Sequence, residues 1–140
     1  MPSFINVRTG WHVTDSQKTV MVVDDASLVR LYYRTALEGA GFRVEEALNG
    51  IEALEKLLSI PVDLLIVDVN MPQMDGFTFL DVLRQKTGPL ASVPALVTST
   101  ESAEADFAAA RNAGANYYLV KPIEPQTLVE FASMFCGIVR

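Results

Sequence analysis

The stretch Lys18–Ser27, KTVMVVDDAS, decides how the rest of this 140-residue chain is interpreted. Four apolar residues, 20–23, lead directly into two adjacent carboxylates, Asp24 and Asp25. A continuous apolar run of this kind is typical of a strand covered on both faces, as in a parallel sheet. Two like charges at the end of such a strand are either solvated, with one of them capping the next helix, or they hold a cation. The dipeptide alone does not separate these alternatives.

Strand-like and helix-like segments alternate from Lys18 to the end of the chain. Runs rich in β-branched or aromatic residues predict five strands, at residues 19–23, 42–47, 62–67, 93–97 and 116–120. Segments with helical spacing lie between them, and Asn49 and Asp75 are predicted helix caps. The alternation predicts an α/β fold with parallel strands, right-handed crossovers and helices on both faces of the sheet.

Helical spacing also groups apolar residues into single-faced stripes. Three stripes stand out: Leu28, Leu31, Tyr32 and Thr35; Ala53, Leu54, Leu57 and Leu58; and Leu128, Phe131, Ala132 and Phe135. Glycines at 41, 88 and 114 follow periodic runs, where a left-handed residue closes a helix.

Composition excludes several classes of protein. The formal net charge is -6 and Lys and Arg are scattered singly, which argues against a nucleic-acid surface. Cys136 is the only cysteine, so no intrachain disulfide forms and a reducing cytoplasm is expected. No uncharged apolar segment approaches the ~20 residues that cross a bilayer.

Residues 1–17 fall outside the repeating pattern and are interpreted as an N-terminal extension, mobile or folded back, in which Phe4 and Trp11 are apolar enough to dock. Residues 18–140 form one domain.

Chemically active side chains recur where the predicted strands end. Asp24 and Asp25 follow the first strand, Asp68 the third, Thr98 the fourth and Lys121 the fifth. In an open parallel sheet, ligands bind beyond the carboxyl ends of the strands. If the first and third strands are neighbours, the three carboxylates share one crevice and repel one another unless a cation lies among them. Oxygen ligands favour a hard ion, and Mg²⁺ is the usual one where phosphate chemistry occurs.

A carboxylate beside Mg²⁺ and an ammonium group can accept a phosphoryl group. The carboxylate attacks phosphorus and becomes an acyl phosphate, while the cations neutralise the group in transfer. Asp68 is the predicted nucleophile, and Thr98 and Lys121 are predicted to hold the phosphoryl oxygens. Helices that begin at these loops aim free N–H groups at the same region, which also favours an anion.

Four motifs in this order and spacing resemble the CheY-like receiver domain of bacterial response regulators, over about residues 18–140. They are VVDD (22–25), IVDVNMPQMDG (66–76), VT (97–98) and LVKP (119–122). The resemblance implies a flavodoxin-like (βα)5 doubly wound parallel sheet with strand order 2-1-3-4-5. It also implies a two-component signalling role.

The resemblance further assigns roles to individual residues. Asp68 is the phosphoacceptor for a histidine kinase or phosphotransfer protein. Asp25, Asp68 and the backbone carbonyl of Asn70 bind Mg²⁺, with Asp24 acting through a water. Thr98 moves towards the phosphoryl group, Tyr118 rotates with it, and Lys121 holds the phosphate and precedes a cis bond to Pro122. The fourth helix, fifth strand and fifth helix form the output face, on a monomer or weak dimer.

The leading hypothesis is therefore a phosphorylation-controlled switch acting on a protein partner, as in chemotaxis, with no enzymatic activity beyond self-phosphorylation and slow autodephosphorylation. A receiver excised from a larger regulator is the first alternative. A Mg²⁺-dependent aspartyl phosphatase is less favoured, because Asn70 stands where such enzymes use a second carboxylate as acid–base. A flavin-binding protein is disfavoured by the acidic DDAS loop, and a non-phosphorylatable scaffold by the full set of site residues. His12 and Cys136 have no predicted role.

Overall fold

The structure, a computed structural model, describes residues 3–5, 12–14 and 17–138. Its centre is a five-stranded parallel sheet with helices on both faces. The strands are β1 (Ser3–Ile5), β2 (His12–Thr14), β3 (Thr19–Val23), β4 (Arg43–Ala47), β5 (Leu64–Asp68), β6 (Ala95–Ser99) and β7 (Tyr117–Val120). The helices are α1 (Ser27–Gly39), α2 (Gly50–Leu57), α3 (Gly76–Arg84), α4 (Glu104–Ala113) and α5 (Pro125–Phe135), and a 3-10 turn spans Pro89–Ser92.

The strand order of the central sheet is β4-β3-β5-β6-β7, with every neighbouring pair parallel. Numbered by the five parallel strands alone, this is 2-1-3-4-5, so the predicted flavodoxin-like fold is confirmed. The chain leaves β3 towards one edge of the sheet, at β4, and then returns past β3 to β5. The carboxyl ends of β3 and β5 therefore flank the switch point, where a crevice opens in folds of this type.

Alternation along the strands divides the core into two layers. Val22, Ile66 and Leu96 belong to the cluster that packs under α1 and α5. Val23 and Val67 belong to the cluster on the other face, which packs against α2 and α3. Side chains two residues apart on a strand point to the same face of the sheet. A residue at a strand end therefore faces the same layer as the core residue two positions before it.

The predicted helix signals are largely present. Asn49 and Asp75 cap α2 and α3, their side chains accepting hydrogen bonds from the backbone N–H groups of Glu52 and Thr78. Gly41, Gly88 and Gly114 all have positive φ, and the last ends α4 in the left-handed conformation.

Helix α1 turns the predicted apolar stripe outwards. Leu28 and Leu31 are 78% and 58% exposed, and Tyr32 is also exposed, whereas Tyr33 and Leu37 are buried. Two adjacent stripes of this helix are apolar, and spacing alone does not tell which of them the sheet will cover. Packing against α5 and β4 selects the stripe that contains Tyr33 and Leu37.

The N-terminal segment is described in part. β1 and β2 pair antiparallel, with Phe4 opposite Val13. Trp11 lies outside the described residues, and the division into an extension of residues 1–17 and a domain of residues 18–140 stays a prediction. None of the helices in the described part of the chain is long and apolar enough to span a membrane.

Candidate functional site

Three carboxylates meet at the switch point of the sheet. Oxygens of Asp24, Asp25 and Asp68 all lie within 4.8 Å of one another. The sheet register causes this meeting, because Val23 of β3 pairs with Val67 of β5 and each is followed by an aspartate. Asp24 and Asp68 are only 2% and 7% exposed, while Asp25 is exposed.

Lys121 joins the two buried carboxylates. Its Nζ lies 2.9 Å from Asp68 Oδ1 and 3.2 Å from Asp24 Oδ2. The residue follows β7, its backbone N–H donates to the Ser99 carbonyl at 2.7 Å, and its peptide bond to Pro122 is cis. Asp24, Asp68 and Lys121 each stand two residues beyond a core residue of the α1/α5 layer, so all three side chains continue that face of the sheet.

Burial and the contacts among Asp24, Asp68 and Lys121 shift the pKa values of the cluster. Burial raises the pKa of Asp68; the Lys121 hydrogen bond opposes this and the Asp24 charge adds to it, leaving the pKa above its usual value. Burial lowers the pKa of Lys121, but its hydrogen bond to Asp68 and the charges of Asp24 and Asp68 outweigh that effect, so its pKa is raised. Three carboxylates around one ammonium leave an excess of negative charge, and their donors are all oxygens. This donor set fits a hard divalent cation such as Mg²⁺.

Arg30 of α1 fixes the backbone of the acidic loop, a role that the sequence interpretation missed. Its guanidinium donates to the Asp24 carbonyl at 2.6 Å and to Glu46 Oε1 of β4 at 2.8 Å. Asp24 Oδ1 in turn accepts from the Ala26 N–H at 2.9 Å. An arginine five residues after an acidic pair gives little signal by itself, because its partner Glu46 becomes a neighbour only when β3 and β4 pair.

Helix α3 begins directly against the end of β5. The Gly76 N–H donates to the Val69 carbonyl at 2.9 Å, and a Cβ atom on Gly76 would collide with the backbone carbonyl of Asp68. Asn70, two residues past Asp68, is exposed in the loop between β5 and α3. The close approach keeps the start of this helix against the backbone of Asp68 and Val69.

Thr98 is placed opposite Asp68 in the β5–β6 ladder. It is fully buried, and its Oγ1 has no hydrogen-bond partner among the residues that the structure describes. Because Leu96 of the same strand belongs to the α1/α5 layer, Thr98 points to the same face as Asp68 and Lys121.

Tyr118 lies on the opposite face of the sheet from Thr98. It packs against the layer under α2 and α3, meets Phe107 edge-on at 4.8 Å, and donates its phenol O–H to the Glu101 carbonyl at 2.8 Å. The Glu101 N–H donates to Ser99 Oγ at 3.0 Å, next to Thr98. The two side chains are thus connected through the 99–101 loop.

Comparison with known proteins agrees with this geometry. The response regulator receiver domain family matches residues 20–133. The KDP operon transcriptional regulatory protein KdpE of Escherichia coli is 42% identical over 103 residues, which are 74% of this chain and 44% of that protein. Chemotaxis protein CheY1 of Helicobacter pylori is 36% identical over 120 residues, 84% of this chain and 96% of CheY1. The structure of Vibrio cholerae CheY4 superposes with a TM-score of 0.80 at 34% identity, covering 85% of this chain and 98% of CheY4.

The fold and the acidic cluster together define a CheY-like receiver domain of two-component signalling. The chain belongs to the response regulator receiver domain family. Receiver domains are signalling proteins that interact with histidine kinases and with downstream targets. The chain spans less than half the length of KdpE and nearly the whole of CheY1.

Proposed function

We propose that this protein is a phosphorylation-controlled switch that receives a phosphoryl group on Asp68 from a histidine kinase or phosphotransfer protein. The proposal rests on the contacts that the Asp68 side chain makes. This carboxylate is buried, lies 2.9 Å from the Lys121 ammonium, and shares a 4.8 Å cluster with Asp24 and Asp25. A buried carboxylate next to a fixed cation and further oxygen ligands is suited to nucleophilic attack on phosphorus.

The reaction uses residues that the fold already holds in place. A carboxylate oxygen of Asp68 bonds to phosphorus as the phosphorus–nitrogen bond of the donor phosphohistidine breaks, and the electron pair stays on the imidazole. The Lys121 ammonium pairs with an oxygen of the transferred phosphoryl group. The Thr98 hydroxyl turns to donate to another oxygen of that group. Asp25, Asp68 and the backbone carbonyl of Asn70 would hold Mg²⁺, with Asp24 acting through a water. When bound, the ion supplies charge neutralisation for the transferring group.

The output follows from the loop that links Thr98 to Tyr118. Movement of Thr98 towards Asp68 pulls on Ser99 and Glu101, and Glu101 is the residue whose carbonyl accepts from the Tyr118 phenol. Tyr118 then changes its position against α4. The surface formed by α4, β7 and α5 carries the exposed apolar residues Tyr117, Val120 and Met134. This exposed surface supports a protein partner bound through the α4-β7-α5 face.

Turnover of an outside substrate is not part of the proposal. Asn70 replaces the second carboxylate that an aspartyl phosphatase would use for proton transfer. The second candidate function is that of a receiver domain within a longer transcriptional regulator. It is supported by the similarity to KdpE, a transcriptional regulatory protein of which the alignment covers 44%. In that setting the same phosphoacceptor domain would control a further part of a longer protein.

Intact mass spectrometry after acetyl phosphate treatment tests the phosphoacceptor. We expect one phosphoryl adduct that requires Mg²⁺, is absent from Asp68→Asn, and persists in Asp81→Asn. Asp81 is a matched control because its carboxylate is exposed on α3 and lies outside the acidic cluster. An adduct that survives in Asp68→Asn, or none in the wild-type protein with Mg²⁺ present, would contradict the proposal.

A further inference from the structure

The turn between β3 and α1 carries two of the three carboxylates of the acidic cluster, and every polar group of Asp24 is engaged there. Its N–H donates to the Ala47 carbonyl at 3.1 Å, and its own carbonyl accepts from the Arg30 guanidinium at 2.6 Å. Its Oδ1 accepts from the Ala26 N–H at 2.9 Å, and its Oδ2 lies 3.2 Å from the Lys121 ammonium. The direction of this carboxylate therefore depends on two backbone contacts as well as on those of the side chain.

Helix α1 begins at this turn with a residue that cannot cap it. The N-cap residue is Ala26, whose side chain has no group that could accept a hydrogen bond. Its carbonyl accepts the Arg30 N–H at 3.0 Å, which places Arg30 one turn into the helix. From there the guanidinium reaches back to the Asp24 carbonyl. A hydrogen bond from a charged donor is among the stronger kinds, so this side chain restrains the turn where a cap would otherwise do so.

Glu46 of β4 aligns the guanidinium. Its Oε1 accepts from Arg30 Nε at 2.8 Å, and the two side chains are only 29% and 12% exposed. The glutamate is itself held by the sheet, where it pairs with Val22, and its carbonyl accepts from Lys56 Nζ at 2.6 Å. Because a guanidinium presents its donors in fixed directions, a carboxylate that holds Nε also sets where the other nitrogens point.

Arg34 provides an internal comparison one helical turn further along α1. Its guanidinium lies 3.1 Å from Glu46 Oε2 and donates to the Val44 carbonyl at 2.6 Å. The two arginines thus carry the same charge, lie on the same helix, and pair with the same glutamate and with one backbone carbonyl each. They differ in that the carbonyl held by Arg34 belongs to β4, whereas the carbonyl held by Arg30 belongs to the acidic turn.

We propose that Arg30 and Glu46 are positioning residues for the metal site. The Arg30 guanidinium, aligned by its glutamate partner, holds the Asp24 carbonyl and keeps both adjacent carboxylates directed at Asp68. This inference rests on the proposed function, in which the acidic cluster binds Mg²⁺. The charge of Arg30 by itself acts in the opposite direction, because a cation near the cluster repels a divalent ion. Positioning and charge therefore predict changes of Mg²⁺ affinity with opposite signs when this arginine is replaced.

Amide hydrogen exchange in EDTA, followed by NMR, tests the positioning role without metal or phosphoryl donor. The amides of Asp24 and Ala26 report the turn, and that of Ile66, in the middle of β5, reports global unfolding. Relative to Ile66, we expect exchange at the turn to be at least ~10-fold faster in Arg30→Gln than in the wild type, because a hydrogen bond from a charged group is lost. Arg34→Gln should leave this ratio unchanged. Equal ratios in the two variants would overturn the proposal.

Calorimetric titration with Mg²⁺ alone tests the consequence for the site. We expect Arg30→Gln to raise the Kd for Mg²⁺ ~10- to 100-fold, the range seen when a group that orients a metal ligand is lost. Arg34→Gln should change the Kd less than ~2-fold. Arg30→Lys should give an intermediate Kd, because it keeps the charge but a single ammonium does not reproduce the fixed fork of donors.

The possible outcomes of this titration separate the two proposals. Unchanged or tighter binding by Arg30→Gln would overturn the positioning role and leave the proposed function intact. A wild-type protein that binds no Mg²⁺ would contradict the proposed function and this inference together.

A double-mutant cycle tests whether Glu46 acts through Arg30. Glu46→Gln should raise the Kd for Mg²⁺ in the wild-type background and have little further effect in the Arg30→Gln background, since its partner is then already absent. If the glutamate acted only as a negative charge that attracts the ion, its removal would weaken binding equally in both backgrounds. Equal effects would therefore overturn its part in the proposal.

Discussion

Asp68 ends β5 in an environment that favours its neutral form. Desolvation and the Asp24 charge raise its pKa, and the hydrogen bond from Lys121 only partly offsets them. A folded protein with a raised carboxyl pKa binds that proton more tightly than the unfolded chain does. The stabilising contribution of Asp68 is therefore full below its unfolded pKa of about 3.8 and is lost as the pH rises through the folded value.

The first prediction is that Asp68→Asn is more stable than the wild type at pH 7 in the absence of divalent ions. The substitution removes a buried like charge while Lys121 keeps its contact with Asp24 at 3.2 Å. We expect a gain on the order of 1 kcal/mol in the free energy of unfolding, shrinking as the pH falls towards 4. Urea unfolding across this pH range with EDTA measures it, and Asp81→Asn should show no comparable gain. A loss of stability at pH 7 would mean that the Lys121–Asp68 pair outweighs the repulsion.

At the scale of secondary-structure elements, the start of α3 packs directly against the backbone at the end of β5, where Asp68 lies. Gly76 lies so close to the Asp68 carbonyl that a Cβ atom has no room, and the obstacle is backbone rather than a flexible side chain. Gly39, the last residue of α1, has no such obstacle, because a Cβ atom at this position would meet nothing within 4 Å. Gly76 is thus required for close packing against β5, whereas Gly39 is not required by any close contact.

The second prediction compares Gly76→Ala with Gly39→Ala. Gly76→Ala should lower the free energy of unfolding by about 1–3 kcal/mol, because α3 must move away from β5. Gly39→Ala should be neutral or stabilising by up to ~1 kcal/mol, since alanine favours helix and meets no obstacle. Chemical denaturation of the two variants under identical conditions decides the point. Equal effects would show that helix α3 relaxes without strain.

At the scale of the whole molecule, repulsion among the three carboxylates of the acidic cluster destabilises the folded state. Asp24 and Asp25 leave β3, and Asp68 ends β5, so the three charges meet only when the sheet is formed. The unfolded chain separates Asp68 from Asp24 and Asp25, which are adjacent in sequence. A cation that binds the cluster therefore binds the native state in preference to the unfolded state and stabilises the entire domain.

The third prediction is that Mg²⁺ raises the global stability. At about ten times its Kd, Mg²⁺ should add about 1.4 kcal/mol to the free energy of unfolding. Asp25→Asn should reduce this gain, because it removes the exposed carboxylate of the cluster while leaving the Lys121 contacts in place. Thermal and urea unfolding over a Mg²⁺ titration measure the effect. The same gain in wild-type and Asp25→Asn protein would point to nonspecific screening.

The sequence by itself determined the local features of this protein. Apolar runs located the five parallel strands, Asn49 and Asp75 marked helix starts, and the placement of Asp24, Asp68 and Lys121 at strand ends indicated one reactive edge. These features depend on neighbours two to four residues apart, which is the range over which strand and helix periodicities act. The strand order came from the resemblance to receiver domains, because periodicity does not specify which strands pair.

Only the tertiary structure decided which faces and partners these residues have. Packing turned Leu28 and Leu31 of α1 to solvent and Tyr33 to the core, and strand pairing brought Glu46 to Arg30. It also placed Thr98 and Tyr118 on opposite faces of the sheet, connected through the 99–101 loop. The physical reason is that each of these relations depends on the packing of strands and helices that are distant in sequence, which no local spacing encodes.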